Sequence, residues 1–260
     1  MNLENDKNLR SLAGAIMTHT TKAIVLRTTR YGETSLIVTV LTELFGIQSY
    51  LLNGVRSTKK SAAKANLFQP SSILELVVYH NEQKDLQRIK EFRWLHLYQH
   101  ILSDVVKNCV ALYMVELMNK CLKQPEAHEA LYDFCEDALI QLDTAGKTVT
   151  ANFTLYFALH FTHFFGFRMH DNYDEHNIFL DLQEGNFTNV QPDHPHFIEG
   201  EMAAITSQLL KVMQPEELAS FKLNHTARRK LLLAYQDYYA LHIHDFGQMK
   251  TLRVLSDVLT

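Results

Sequence analysis

Cysteine is scarce in this chain: three in 260 residues, Cys109, Cys121 and Cys135. Each stands alone in a helical pattern, which argues for reduced, buried thiols in a cytoplasmic protein and against a disulfide framework. No run of about 18 uncharged apolar residues occurs, so no membrane span is expected. The N-terminus, MNLENDKNLRSLAGAI, has no apolar core of signal-peptide length behind a basic start. Residues 1–16 read as a poorly ordered extension. GxGxxG, GxxxxGK[ST] and GxSxG are all missing, so nucleotide cradles and nucleophile elbows lack support. There is no internal repeat and no low-complexity tract.

What the chain has is an uneven distribution of charge. The net charge is −4, yet residues 17–95 hold 11 Lys and Arg against 6 Asp and Glu, a balance of +5. Residues 96–260 hold 12 against 21, a balance of −9. A small basic module is joined to a larger acidic one, and such asymmetry implies an anionic partner for the basic part. The most concentrated basic stretch is 53–64, NGVRSTKKSAAK, which carries Arg56, Lys59, Lys60 and Lys64 and no acid.

Periodicity changes where the charge does. Segments 22–27, 34–41, 47–53, 72–80 and 85–93 are short and rich in β-branched or aromatic residues. Turn signals at Gly32, Gly46, Gly54 and Pro70 bound them. In 85–93, Leu86, Arg88 and Lys90 share one face, with Gln87, Ile89 and Glu91 on the other. Five such strands in about 75 residues fit an oligonucleotide-binding (OB) barrel, with a small SH3-like barrel as the nearest alternative. From Trp94 the period becomes helical: Leu97, Ile101, Val105, Leu112, Val115 and Leu122 recur at three, four or seven residue steps. Further helices are expected at 126–142 behind Pro125, at the very apolar 149–165, and at 199–213, 225–244 and 250–259. Between them, 166–197 is irregular, with turn signals around a short apolar run that suggest a hairpin-like excursion. The fold class expected is therefore α+β in two domains. An OB barrel over 17–93 is followed by a helical domain over 94–260, with a short irregular insertion at 166–197.

At this point the residues carry a resemblance. The run AIVLRTTRYGETSLIVTVLTELFGIQSYLLNGVR resembles the opening of the bacterial RecO family of recombination mediators. Its matching positions are Leu26, Arg27, Tyr31, Gly32, Glu33, Thr42, Gly46, Gly54 and Arg56. Phe164, Phe165, Gly166 and Phe167 resemble that family's aromatic-Gly step, and the tail from Arg228 to Leu259 fits its closing helices. The resemblance implies a cytoplasmic, nucleoid-associated protein that performs no covalent chemistry. It would bind single- and double-stranded DNA, anneal complementary strands and engage the C-terminal tail of single-strand-binding protein. With RecR it would promote recombinase loading. Many family members also hold zinc on four cysteines after the aromatic-Gly step. This chain has no cysteine there, and His170, Asp171, Asp174, His176, His194 and His196 lack the spacing of a structural site. No metal and no cofactor are expected.

On the barrel, Arg27, Arg30, Arg56, Lys59, Lys60 and Lys64 are the first-rank phosphate contacts, with Arg88 and Lys90 second. Cations that follow a backbone bind without sequence preference and with strong salt dependence. Tyr31 and Tyr50 are the aromatic candidates for stacking on bases. The acidic helical domain repels phosphate over most of its surface. An acidic peptide tail with an apolar end needs a hydrophobic groove rimmed by cations. Lys107, Lys120 and Lys123, or Arg228, Arg229 and Lys230, are the two candidate rims. Two other readings are a protein–protein adaptor with a structural barrel and, more weakly, a metal-dependent nuclease. The pairs Glu136–Asp137, His160–His163 and His242–His244 show no third partner at useful spacing.

Overall fold

The structure, a computed structural model, describes residues 18–55 and 65–258. It divides into two compact units. One runs to Leu97 and includes the segment Gln124–Glu129; the other comprises Tyr98–Lys123 and the chain from Ala130 onward. The expectation for residues 1–16 falls outside the described residues.

The first unit is built on five strands: β1 Thr18–Tyr31, β2 Ser35–Thr42, β3 Gly46–Leu52, β4 Ile73–Tyr79 and β5 Leu86–His96. They close into a barrel in the order β1-β2-β3-β5-β4, with β3 and β5 parallel. This is the Greek-key barrel of the OB fold rather than an SH3-like one. Alternation places Leu36, Val38, Val40, Tyr50, Leu52, Leu74, Leu76 and Val78 in one core, closed by Phe68 from the short helical turn Asn66–Phe68. Burying each such side chain stabilises the barrel by about 1.5–3 kcal/mol.

β1 is longer than the segment 22–27 marked by its apolar residues. Its early part pairs with β4, Thr18 opposite Tyr79, and its later part with β2, Tyr31 opposite Ser35, with a bulge between Val25 and Arg27. One strand thus serves two neighbours, and its threonine-rich ends are strand because both ladders claim them. β5 likewise continues past Arg93, since Trp94 and His96 still pair with Leu74 and Ile73.

The helical period after Trp94 therefore begins in strand and turn. The first helix, α1, is Val105–Cys121, followed by α2 Glu129–Thr144, α3 Lys147–Phe161, α4 Gly200–Leu210, α5 His225–His242 and α6 Thr251–Val258. What replaces the missing early helix is a carboxylate clamp. Asp143, buried on α2, accepts backbone N–H bonds from Gln99, His100 and Ile101 at 2.7, 2.8 and 2.8 Å. Asp104 then caps α1 by accepting from the Lys107 N–H at 3.0 Å.

The helix expected from Glu126 starts instead at Glu129, because the residues before it belong to the barrel unit. Gly46 has φ +61°, and a Cβ there would lie 2.1 Å from the Glu126 carbonyl oxygen. Only glycine fits both the left-handed backbone and the approach.

α3 is buried nearly all round, with Phe153, Leu155, Phe157, Leu159 and Phe161 in the helical core. From α5, Tyr239 donates to the Ala158 carbonyl at 2.7 Å and Tyr238 to that of Phe167 at 2.5 Å. The irregular stretch forms a small sheet, β6 Phe179–Asp181, β7 Asn186–Thr188 and β8 Phe197–Ile198, in the order β7-β6-β8. Among the described residues no helix is long and apolar enough to cross a membrane.

Candidate nucleic-acid interface

Ladder register sorts the outward-facing side chains of the barrel into rows. Arg27 on β1 lies opposite Thr39 on β2, which lies opposite Ser49 on β3, which lies beside Leu86 on β5. One step along, Thr29, Ile37, Leu51 and Arg88 form the second row. These eight positions contain no acid. Hydroxyls and methyls fill the middle, and a cation closes each edge. With strands about 4.8 Å apart, the β1 and β5 columns are three steps, about 14 Å, apart along the curved outer surface of the closed barrel.

The cations differ in what they already hold. Arg27, Arg30 and Arg88 are exposed and have no ion-pair partner among the described residues. Lys90, exposed at a bulge of β5, stands 3.8 Å from the exposed Glu91, a contact too long and too wet to neutralise it. Arg93, by contrast, is bound twice by Glu75, at 2.7 and 2.9 Å, and Lys22 pairs with Glu43 at 3.1 Å.

Arg30 and Tyr31 end a β1–β2 ribbon that outruns the barrel: Leu36, opposite Arg30, is buried while Arg30 is exposed. Tyr31 is 53% exposed and leads into a turn at Gly32, where φ is +58°. Tyr50, the other aromatic candidate, is 0% exposed within the core, and burial pushes its hydroxyl well above its ordinary pKa. It packs the barrel and cannot stack on a base. Arg56, Lys59, Lys60 and Lys64 lie outside the described residues. Just beyond them Phe68 is fixed in the core, and its carbonyl accepts from Thr28 Oγ1 at 2.6 Å, one residue from Arg27.

The loop between β4 and β5 is held by a residue that sequence reading missed. Buried Gln87 donates from Nε2 to the carbonyls of Asn81 and Lys84 at 2.7 and 2.6 Å and accepts from the Asn81 N–H at 3.1 Å. A lone glutamine on the inward parity of a strand was the available signal.

In the helical unit the two cation clusters fare differently. Lys107 is buried, and its Nζ donates to the Asp143 carbonyl at 2.6 Å, so it rims no groove; the helical spacing that suggested it could not register that bond. Lys120 Nζ donates to the Phe246 carbonyl and sits 5.2 Å from that ring's centroid, leaving Lys123 exposed beyond the end of α1. On α5, Arg228 donates to the Leu223 carbonyl, whereas Arg229 and Lys230 are exposed, with exposed Leu233 one turn on.

In the insertion several candidate metal donors are engaged with other groups. Asp171 pairs with Lys211 at 3.1 Å, Asp174 accepts from the N–H groups of His176 and Asn177, and His194 lies 3.4 Å from Asp181. Among the described residues no three His, Cys, Asp or Glu side chains are grouped to hold an ion. Asn172 clamps β7, donating to the Phe187 carbonyl and accepting its N–H, both at 2.8 Å. Two histidines of the enzymatic pairs are constrained by their surroundings. Burial and the neighbouring His163 hold His160 down to about 4, and His242 Nε2 is bonded to the Leu182 carbonyl.

Barrel and face together define an OB-fold protein with a helical C-terminal part. Comparison with known proteins identifies the group. The family descriptions "Recombination protein O N terminal" and "Recombination protein O C terminal" match residues 17–98 and 102–251. "DNA repair protein RecO" of Bacteroides fragilis is 32% identical over 245 residues, covering 93% of this chain and 99% of the relative. The Azobacteroides pseudotrichonymphae protein of that name is 30% identical over 242 residues, with 93% and 99% covered. That of Flavobacterium psychrophilum is 32% identical over 240, with 92% and 98% covered. The chain belongs to the RecO family.

Proposed function

We propose that this chain is a non-catalytic DNA repair and recombination mediator that binds single- and double-stranded DNA on its barrel. One observation carries the reading: an acid-free outer face on an OB barrel, edged by Arg27 and Arg88 with no ion-pair partner among the described residues. Each such cation near a phosphate releases condensed counterions, which gives sequence-tolerant, salt-dependent affinity. Arg30 at the end of the β1–β2 ribbon and Lys90 at the β5 bulge add exposed cations, and Arg56, Lys59, Lys60 and Lys64, outside the described residues, are further phosphate contacts by their sequence alone. The names of the curated relatives support a role in DNA repair. By the family resemblance, the protein anneals complementary strands and, with RecR and single-strand-binding protein, promotes recombinase loading in the nucleoid.

The acidic tail of single-strand-binding protein belongs on the helical unit. Arg229 and Lys230 beside Leu233 supply cations and apolar surface together, which favours α5 over the end of α1.

The test is titration of fluorescent oligonucleotides over a range of salt. Arg27→Gln with Arg88→Gln, and separately the triple Lys59→Gln, Lys60→Gln, Lys64→Gln, should weaken binding uniformly across sequences. Each removed contact should flatten the salt slope by about one. Wild-type affinity in both variants at low salt rejects the reading and leaves the adaptor with a structural barrel. Charge reversal at Arg229 and Lys230 should release a labelled tail peptide; retention rejects the α5 site.

A further inference from the structure

Among the described residues, every Phe, Trp and Tyr side chain is buried or half-buried except one. Tyr31 alone is exposed. It shows no ring contact and no hydrogen bond there, unlike Tyr238 and Tyr239, whose hydroxyls are bonded. Leaving half of such a ring in water forfeits apolar burial that a polar residue would not miss. Its position narrows the use. Tyr31 sits at the free end of the β1–β2 ribbon, next to Arg30, which has no ion-pair partner among the described residues, and beyond the two acid-free rows. The turn that follows is open: a Cβ built on Gly32 would meet nothing within 4 Å. The middle of the face, Ile37, Thr39, Ser49 and Leu51, offers no ring at all.

We propose that Tyr31 stacks on an unpaired base and is the residue by which the barrel favours single-stranded over double-stranded nucleic acid. The proposal rests on the nucleic-acid reading above and adds base recognition to it. In a duplex both faces of each base are covered by neighbours, so the ring finds no partner. In a single strand a base can leave its neighbour for the ring, at a gain that does not depend on its identity.

The experiment compares wild type, Tyr31→Ala and Tyr31→Phe on three probes: an oligo-dT, an abasic oligonucleotide of equal length and a duplex. Tyr31→Ala should bind oligo-dT roughly ten-fold more weakly and leave the other two probes unchanged. Its salt slope should stay that of wild type, and Tyr31→Phe should match wild type on all three probes. Wild-type affinity of Tyr31→Ala for oligo-dT overturns the proposal while leaving the charge-based reading intact. Equal weakening on oligo-dT and the abasic probe overturns it too, because the side chain then acts on the backbone. If wild type binds none of the probes in a salt-dependent way, both readings fall.

Discussion

Replacing Asp143 tests how the chain passes from its last barrel strand into the first helix. Its carboxylate holds three consecutive N–H groups, of Gln99, His100 and Ile101. A hydrogen bond to a charged group contributes about 1.5–3 kcal/mol. Gln99 and His100 are exposed and can turn to water, whereas Ile101 is buried and its N–H is stranded. Asp143→Asn keeps one acceptor oxygen and should cost about 1–2 kcal/mol; Asp143→Ala should cost about 3–5 kcal/mol. Burial alone would raise this carboxyl, but the backbone donors outweigh it and hold the pKa below the ordinary value of 3.8. The stabilisation is therefore complete above the unfolded pKa and fades as pH falls through the lower folded one. Because the chain has two units, a local readout is needed. Amide exchange of residues 99–101 should rise in Asp143→Asn and stay near wild type in β1 to β4. The acid limb of the denaturation midpoint against pH should flatten in the same variant. Unchanged exchange and an unchanged acid limb would refute the clamp.

Three further outcomes follow from contacts described above or beside them. Glu116 on α1 accepts the N–H groups of Lys250 and Thr251, both at 2.8 Å, and the Thr251 hydroxyl at 2.7 Å, so it caps α6 from another helix. Glu116→Ala should cost about 0.5–2 kcal/mol, as lost caps do, and make α6 the first site of limited proteolysis. Asn172→Ala removes both bonds to Phe187 and should lower the melting temperature, at about 1–3 kcal/mol, while a chelator leaves wild type unmoved; a chelator-dependent shift would mean a metal holds the insertion. Gly46→Ala should cost at least about 1–2 kcal/mol from the left-handed backbone alone, read as a lower denaturation midpoint of the barrel.

Much of the architecture was legible because its causes are local. The split between a small basic module and a larger acidic one needs only counting, and the alternation of Leu86 and Arg88 against Gln87 and Ile89 holds on β5, whereas Glu91, expected on the inward face, is exposed because the bulge at Lys90 shifts the parity. Parity alone could not say which face of IQSYLL turns inward, so Tyr50 looked as available as Tyr31. Lys107 looked free because its partner lies on another helix, 36 residues away. The helical period through Leu97 and Ile101 was real, but β5 pairing and the Asp143 clamp decide the backbone there, and neither is encoded within the segment. The bulge after Val25 hid the true length of β1 by breaking its alternation.

The approach of Glu126 to Gly46 bears on how the molecule can be dissected. Cutting after β5 keeps all five strands, yet it discards the six residues Gln124–Glu129 that group with the barrel. Such a fragment would carry a bare glycine turn where the parent has a lid of backbone. Any nucleic-acid affinity measured on it would then mix the loss of the helices with a defect of its own making. A faithful minimal barrel must restore that strap in trans or graft it onto the severed end.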